Sequence, residues 1–541
     1  MKQDMTHNMY KDIVRMTAMT ARIVLTGLIL MLTDGNAAAQ GVVVNGSVFG
    51  GGNEAEVQGD SKVNMETGTV SENVFGGGNL ASVKGNVTVI MSGGTVTKDV
   101  YGGGALADTN TGNWHADYGE VEGLEDGADV TGYSVRTGTG TTDDPYEYSV
   151  TSDTEAQAGI TYYSKDTWSH VVKKSAWHTT TVRLTGGTIN GDAYGGGLGD
   201  PDTPAYVWGD VLVDLNGTTT YDSDGKVQTN PIDIDTKGCI VGRVFSCNNV
   251  NGTPKGEVLV HVHATQSNAD GKETVEAKSE KNTNTYDVQA VYGGGNQAEY
   301  YPVRADDTNA VVHTNVIIDG CTQTSIQNVY GGGNAASTPS TSVTINGAYE
   351  IDEVFGGGNG ASTLTFTNPG ANVGFHDYSA VESTYPTKAQ RQQEAFINTY
   401  VYGSGKASVN IFGGTVHRVF GGSNTKGNVR ITAITMLEDK NGCDFCMDEA
   451  YGGGKSAPMD AEAKLLMACI PGLRAAYGGA EAADVLGDVT LNITNGTFDR
   501  VFGGNNLSGT ISGSIMVNIE ETGCKPIIIG ELYGGSNQAA Y

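Results

Sequence analysis

One short string recurs along the chain and constrains its fold more than any other feature. An aromatic residue followed by glycines stands at Phe49, Phe75 and Tyr101, with 26 residues from each anchor to the next. The same anchor returns at Tyr194, Phe245, Tyr292, Tyr330, Phe355, Tyr402, Phe420, Tyr451, Tyr477, Phe502 and Tyr533. Several of these later intervals are again 25 or 26 residues. A period of this length indicates a repeat protein whose units stack upon one another.

The segments between anchors predict short β-strands joined by glycine corners. Gly85 is followed by alternating apolar residues at Val87, Val89 and Met91, then by a Gly-Gly-Thr-Val corner and the next anchor. Such alternation is typical of strands, and a single unit cannot bury its own apolar side. We therefore predict an all-β fold, a parallel β-helix or β-solenoid with coils of about 26 residues, interrupted by loops and short helical insertions.

Stacked coils would place equivalent side chains above one another and so predict two structural ladders. The aromatic ladder comprises Phe49, Phe75, Tyr101, Tyr194, Tyr292, Tyr330, Phe355, Tyr451 and Phe502. The asparagine ladder comprises Asn53, Asn79, Asn296, Asn334 and Asn359. The glycines serve tight corners or close backbone approach, and strands follow them, so they are not a phosphate loop, which needs a helix there.

Composition favours an acidic, exported protein. The chain has 79 glycines but only 12 prolines, and glycine does not recur at every third position. The composition is therefore typical neither of a disordered chain nor of collagen. Asp and Glu number 61 against 32 Lys and Arg, a formal net charge of -29, which argues against nucleic acid or an anionic membrane as partner. An acidic surface can also hold Ca²⁺ loosely, although no site is identified.

The N-terminus predicts export. Arg15 and Arg22 precede an apolar run from Ile23 to Leu32, and a small-residue stretch ends at Ala39. We expect residues 1–39 to be a signal peptide, with a buried N-terminal helix as the alternative. The apolar run is shorter than a membrane span, and no second stretch approaches that length. We expect no transmembrane segment after signal removal.

Interruptions of the repeat give the expected domain organisation. The segments are a signal peptide in 1–39, first coils in 40–108, an insertion in 109–178, coils with polar insertions in 179–365, an insertion in 366–398, and coils in 399–541. Helix-like runs at 388–395 and 459–470 predict helical insertions, the second near 459–475. The last residues open a new coil without a cap. This predicts a chain truncated at its C-terminus, or end-to-end association with another chain.

Four of the seven cysteines are candidates for disulfides or for a zinc site. Cys443 and Cys446 form a CxxC pair, and Cys469 and Cys524 follow in the same region. In an exported protein we expect these four to form disulfides, with pairing left open. A zinc site made by all four is the alternative, and free thiols are the third possibility.

His261 and His263 lie two residues apart in a predicted strand, so they share one face. The valines that alternate with them take the inner positions, which predicts that both histidines lie on the solvated outer face. No third ligand is evident in the sequence, and we assign no metal site. The Asp-Ser-Asp-Gly string at 222–225 resembles part of a calcium loop but lacks the remaining ligands of an EF-hand.

The repeats nominate no catalytic residue. In many β-helix enzymes that act on carbohydrates, acidic residues project from neighbouring coils of one sheet. The outward positions that we assign to the long strand are Asn64, Thr88, Asp214, His261, Thr344, Arg430, Asn492 and Asn518. This column holds one Asp and no adjacent acid pair. We therefore assign no catalytic, cofactor-binding or metal-binding residue, and favour a non-enzymatic role.

The aromatic-glycine anchors, the Gly-Thr-Val corners and the string at 449–454 resemble the large Gly-rich repetitive surface proteins of Gram-negative gut and oral bacteria. The resemblance covers most of the chain from about Gly41. It implies export to the outer-membrane surface or beyond and an adhesin-like role. We expect glycans, mucin or matrix proteins as partners, bound through the insertions. The alternatives are a carbohydrate-active β-helix lyase or glycosidase, and a structural filament or surface-layer component.

Overall fold

The computed structural model describes residues 41–113, 118–121, 124–139, 147–165, 177–232, 238–265, 286–302, 313–361, 371–374, 403–439 and 442–540. The chain divides into two compact units. The first extends to Thr111, resumes from His178 to Pro302, and continues beyond residue 312, whereas the second lies within Gly112–Trp177. The predicted signal peptide, the helix-like run at 388–395, the anchor Tyr402 and most of the polar insertion at 264–286 lie outside the described residues.

Strands of the first unit form one network of 26 within the described residues. The first half comprises β1 (Val43–Val44), β2 (Val48–Phe49), β3 (Ser61–Met65), β4 (Thr69–Val70), β5 (Val74–Phe75), β6 (Val87–Val96), β7 (Val100–Tyr101), β12 (Thr179–Tyr194), β13 (Asp210–Leu215), β16 (Ile240–Phe245), β17 (Val258–Val262), β18 (Val288–Tyr292) and β19 (Thr314–Ile318). The second half comprises β20 (Ser325–Tyr330), β21 (Thr341–Ile345), β22 (Glu350–Phe355), β23 (Lys406–Ile411), β24 (Gly414–Phe420), β25 (Ile431–Leu437), β26 (Phe445–Tyr451), β27 (Ala463–Ala468), β28 (Gly472–Tyr477), β29 (Val489–Ile493), β30 (Gly496–Phe502), β31 (Ile515–Ile519) and β32 (Ile527–Tyr533).

Each coil of the first unit contributes to three rows of parallel pairing. In the long row, Val182 pairs with Val213, which pairs with Val260 in the following coil. In the anchor row, each aromatic residue pairs with the next anchor, as Phe355 does with Phe420. A third row consists of single bridges, such as Val429 to Met459. The predicted all-β parallel solenoid is confirmed.

The hydrophobic core runs along the inside of the stacked coils. Inward residues of the long row are buried, among them Val213, Val260 and Val343, each with no exposed surface. Alternate residues of the same strands point outward, in agreement with the period of two read from the sequence. Because each coil covers the next, the core is continuous along the stack. The apolar side chains of one coil are buried by those of its two neighbours.

Two kinds of glycine make this close stacking possible. A Cβ added to Gly76 would lie 2.4 Å from the carbonyl oxygen of Gly102 in the next coil, so the anchor glycines are needed for backbone approach. Gly94, in the Gly-Thr-Val corner, has a φ of 81°, a conformation that other residues adopt only with strain. Close backbone approach therefore explains the anchor glycines, and the tight corner explains Gly94.

The second unit contains a four-stranded antiparallel sheet within the predicted insertion at 109–178. Its strands, in the spatial order β10, β9, β11, β8, are β8 (Tyr118–Glu120), β9 (Ser134–Thr137), β10 (Glu147–Val150) and β11 (Tyr162–Lys165). Val130 and Tyr162 are buried in its small core, and the Tyr162 hydroxyl donates to Asp153 at 3.1 Å. A single 3₁₀ turn, Thr111–Asn113, lies at the start of this segment.

The helical insertion predicted near 459–475 is wrong, because β27 and β28 occupy it. Ala463, Leu465 and Met467 are buried and the intervening Lys464 is exposed, so the segment alternates as a strand does. β27 pairs with a strand on each side. Backbone pairing with two coils outweighs the intrinsic helix preference of these residues, which amounts to a few tenths of a kcal/mol each. Part of the predicted insertion at 366–398 also belongs to the stack, since Val373 bridges two coils.

The outward column assigned to the long strand is wrong at two positions. Thr88 pairs with Lys62 and Thr181 in the neighbouring column, and Arg430 precedes β25 rather than lying within it. The actual column runs through Arg183, Asp214 and His261 in consecutive coils. Among the described residues there is no helix with the length and apolar character needed to cross a membrane.

Candidate functional site

The structure brings the predicted aromatic residues together in one continuous stack. Neighbouring rings are nearly parallel, with centroids between 4.4 Å for Phe245 and Tyr292 and 5.1 Å for Tyr477 and Phe502. The described members are Phe49, Phe75, Tyr101, Tyr194, Phe245, Tyr292, Tyr330, Phe355, Phe420, Tyr451, Tyr477, Phe502 and Tyr533. Burial of almost all of these rings shows that the stack is a second core and not a ligand platform.

The predicted asparagines also lie in an amide ladder, in which each side chain donates to the one in the preceding coil. Asn79 donates to Asn53, and Asn359 donates to Asn334, both at 2.8 Å. Asn334 in turn donates to Asn296 at 2.7 Å. Sequence reasoning missed Asn249, Asn424, Asn506 and Asn537, which make the same contact in coils where serine, cysteine or another asparagine replaces glycine in the anchor.

The cysteines are paired differently from the CxxC pattern. Cys469 is joined to Cys524, and Cys443 to Cys321, which the sequence did not nominate. Cys446 is exposed and belongs to neither disulfide. The zinc alternative for the four cysteines does not fit, because Cys443 and Cys469 are held in separate disulfides. Neither ladder nor disulfide presents reactive chemistry at the surface.

Charged and polar side chains instead lie beside the aromatic stack. In three neighbouring anchor strands they occupy the two positions before the buried valine or alanine that precedes the aromatic residue. These pairs are Asp352 and Glu353 on β22, His417 and Arg418 on β24, and Asp448 and Glu449 on β26. The register places Glu353 beside Arg418, and Arg418 beside Glu449. Consecutive coils therefore carry alternating charges, and opposite charges on neighbouring strands attract.

An open groove of about 630 Å³ runs across these strands. Its lining residues are Tyr286, Gln327, Glu350, Asp352, His417, Arg418, Asp448, Glu449 and Arg474. We call this surface the charged groove. The lining residues come from several consecutive coils, so the groove crosses the coils rather than following one of them. It offers carboxylate acceptors, guanidinium and amide donors, and a tyrosine ring in one place.

His417 lies between two carboxylates at the centre of the charged groove. Its Nδ1 is 2.9 Å from Asp448 Oδ2, and its Nε2 is 3.1 Å from Glu350 Oε1. Partial burial alone would lower the pKa of His417, but these two carboxylates outweigh it and the pKa is raised. An imidazolium that donates from both nitrogens holds the two acids of neighbouring coils in fixed positions.

A buried network of charges supports the wall of the charged groove. The carboxylate of Glu353 accepts from Lys455 at 2.7 Å and from Arg418. Arg418 also donates to Glu481 at 3.3 Å. Burial raises the pKa of Glu481, with the nearby acids adding to the effect. Arg474 donates to Glu449 at 2.5 Å, so both arginines of the groove are oriented by a carboxylate.

Burial also raises the pKa of the Asp352 carboxyl, and the neighbouring charge of Glu353 acts in the same direction. The pKa of Tyr286 is raised chiefly by burial, and secondarily by Asp352 and nearby glutamates. Tyr286 is therefore a neutral hydroxyl that can donate a hydrogen bond. The groove thus combines carboxyl groups, cations and a neutral hydroxyl donor within the same 630 Å³.

Sequence reasoning missed the charged groove because it tested only the outward column of the long strand. The signal lies in the anchors themselves. Three consecutive described coils read Asp-Glu-Val-Phe, His-Arg-Val-Phe and Asp-Glu-Ala-Tyr, with charges at the same two positions. Two other described anchors, with Lys98-Asp99 and Asp499-Arg500, are also charged at both positions, and the remaining described anchors are charged at one or neither. No family model, curated protein or solved structure matches the chain.

Proposed function

We propose that the chain is an exported, adhesin-like surface β-solenoid that binds neutral or amino-substituted glycans in the charged groove. The observation that supports this proposal is the convergence of carboxylates, arginines and Tyr286 in one open cleft. Sugar hydroxyls donate to carboxylates and accept from guanidinium groups, and an aromatic ring packs against the apolar face of a pyranose. The predicted signal peptide and the acidic composition agree with a surface location.

Charge selects the class of glycan. Four of the lining residues are acids, and each of the three cations, Arg418, Arg474 and His417, already faces a carboxylate. A sialylated or sulfated glycan would have to compete with these carboxylates for the cations, whereas a neutral or amino sugar would not. Mucin and matrix glycans present both kinds, and only their uncharged or amino-bearing parts are the expected ligands.

A glycan array probed with the purified chain tests the proposal. We expect binding to neutral or amino-bearing oligosaccharides and little binding to their sialylated or sulfated counterparts. Asp448→Asn should weaken binding about 10- to 100-fold, since one charged hydrogen bond contributes roughly 1.5–3 kcal/mol. Asp499→Asn is the matched control, because Asp499 is an exposed acid two coils further along, outside the groove.

Two outcomes would contradict this location of the site. Equal loss in both variants would show only a general charge effect. Binding that survives Asp448→Asn and Arg474→Ala but is lost when the second unit is altered would place recognition in the insertion, where the sequence first suggested it. No glycan binding together with end-to-end polymerisation would favour the structural filament.

A second candidate is a carbohydrate-active enzyme. The raised pKa of Asp352 favours it, because a carboxyl group whose pKa is raised holds its proton to higher pH, and such a group can protonate a glycosidic oxygen. A second acid of the same groove, such as Glu350, would then activate water. Chromatography of oligosaccharides incubated with the chain distinguishes the two. New reducing ends that disappear in Asp352→Asn would establish hydrolysis, and unchanged oligosaccharides would leave binding alone.

A further inference from the structure

A second cluster of polar side chains lies inside the fold, away from the charged groove. His261 and His263, predicted to lie on a solvated face, are 0% and 1% exposed, so that prediction is wrong. They do point away from the valine core, but the antiparallel hairpin of β14 (Gly217–Tyr221) and β15 (Val227–Pro231) covers them. The Asp-Ser-Asp-Gly string at 222–225 forms the turn of this hairpin.

The stacking of the coils places two aspartates beside these histidines, which the sequence did not predict. Asp214 on β13 is the register partner of His261 on β17, and it has no exposed surface. Asp214 Oδ1 is 3.2 Å from His263 Nε2. Asp319, which follows β19 in the next coil, places Oδ2 2.6 Å from His261 Nε2. Ligand atoms of Asp214, His261 and His263 all lie within 4.8 Å of one another.

The hydrogen bonds leave one electron pair of His261 facing Asp214 and Thr219. The Asp319 carboxylate can only accept, so Nε2 of His261, 2.6 Å away, donates to it, and Nδ1 of the neutral ring carries a lone pair. Thr219 Oγ1 lies 2.6 Å from Asp214 Oδ1 and 2.8 Å from this Nδ1, and its single proton can serve only one of them. A cation held by the cluster satisfies the electron pair that remains.

The two imidazole rings are buried and lie close together, with centroids 3.8 Å apart. This spacing permits one divalent ion to bind a nitrogen of each ring together with Asp214.

We propose that Asp214, His261 and His263 form a zinc site that links two consecutive coils. Two imidazole nitrogens and one carboxylate oxygen are ligands that Zn²⁺ accepts. Asp319 of the next coil accepts from His261, and Thr229 contacts Nδ1 of His263 at 2.7 Å, so each orients a ring as outer partners of metal ligands do. All three ligands are buried, as expected for a metal with a structural role.

Metal content of the full chain, produced in zinc-supplemented medium and purified without chelators, tests the proposal. We expect about one zinc per chain by plasma mass spectrometry, and a lower melting temperature after chelation that zinc restores. His263→Gln should lose the metal. His417→Gln is the matched control, since His417 also bridges two carboxylates but lies in the charged groove, and it should keep the metal.

Thr229→Val provides a second test of the zinc site if the His263→Gln variant does not fold. It keeps all three ligands and removes only the Nδ1 partner of His263, so zinc affinity should fall about 10- to 100-fold. Cobalt substitution should give tetrahedral ligand-field bands without sulfur charge transfer, which excludes the exposed Cys446. Wild-type chain without zinc and with no thermal response to zinc would overturn the proposal, as would loss of zinc in His417→Gln alone.

Discussion

Arg418 and Glu353 are register neighbours on successive coils, and the guanidinium of one donates to the carboxylate of the other. This contact exists only while the two coils keep their alignment, because a one-residue slip of either strand would turn its side chain to the opposite face, away from its partner. The charged groove and the register of the solenoid are therefore coupled. Substitutions beneath the groove should affect stability as well as binding.

Lys455 tests this coupling through Glu353. Lys455→Met removes a cation that lies 2.7 Å from a nearly buried carboxylate, so the free energy of unfolding should fall by about 1–3 kcal/mol. Lys464→Met is the control, because its pair with Glu462 is exposed on both sides and should change stability by less than about 0.5 kcal/mol. Urea denaturation measures both. Equal effects would contradict a supporting role for the network.

The amide ladder should stabilise the interior coils more than the first one. Asn334→Ala leaves the amides of Asn296 and Asn359 without one partner each at a buried position, which should cost about 1–3 kcal/mol. Asn53→Ala removes a single contact to Asn79 at an exposed position and should cost much less. Thermal denaturation of the two variants would show similar losses if the ladder were only a surface feature.

Each disulfide should contribute to stability by restricting the unfolded chain. The Cys469–Cys524 bond spans 55 residues, and Cys469→Ser with Cys524→Ser should lower the free energy of unfolding by roughly 2–4 kcal/mol. Cys446→Ser removes an exposed thiol and should have no measurable effect. Peptide mapping of the unreduced chain provides the direct check. A Cys443–Cys446 bond in that map would contradict the pairing described above.

The raised pKa of His417 predicts a definite pH dependence. A histidine whose pKa in the folded state exceeds its unfolded value of 6.5 contributes stability that is complete below the unfolded pKa and is lost as pH rises through the folded pKa. The difference in unfolding free energy between wild type and His417→Gln should therefore be larger near pH 5.5 than near pH 8.5, roughly one unit below and two above the ordinary value. A difference that grows with pH would contradict this account.

The sequence predicts the solenoid because its repeat is local: each anchor carries the aromatic ring, the glycines and the asparagine that stack. It also predicts a shared face for His261 and His263, since strand alternation is local too. It does not predict that Asp214 and Asp319 contact these histidines, or that Tyr286 and Arg474 line one groove, because both arrangements depend on which coils are neighbours after long insertions. The helix predicted at 459–470 was wrong for the same reason, because pairing between coils overrides the helix preference of this segment.

Crystallography of the chain with the tightest-binding neutral oligosaccharide from the glycan array tests the central claim most directly. The account predicts sugar density in the charged groove, with hydroxyls within hydrogen-bonding distance of Asp352, Asp448 or Arg474, and a pyranose face against Tyr286. Sugar density confined to the second unit or to the ends of the coil stack, with the groove unchanged, would contradict it.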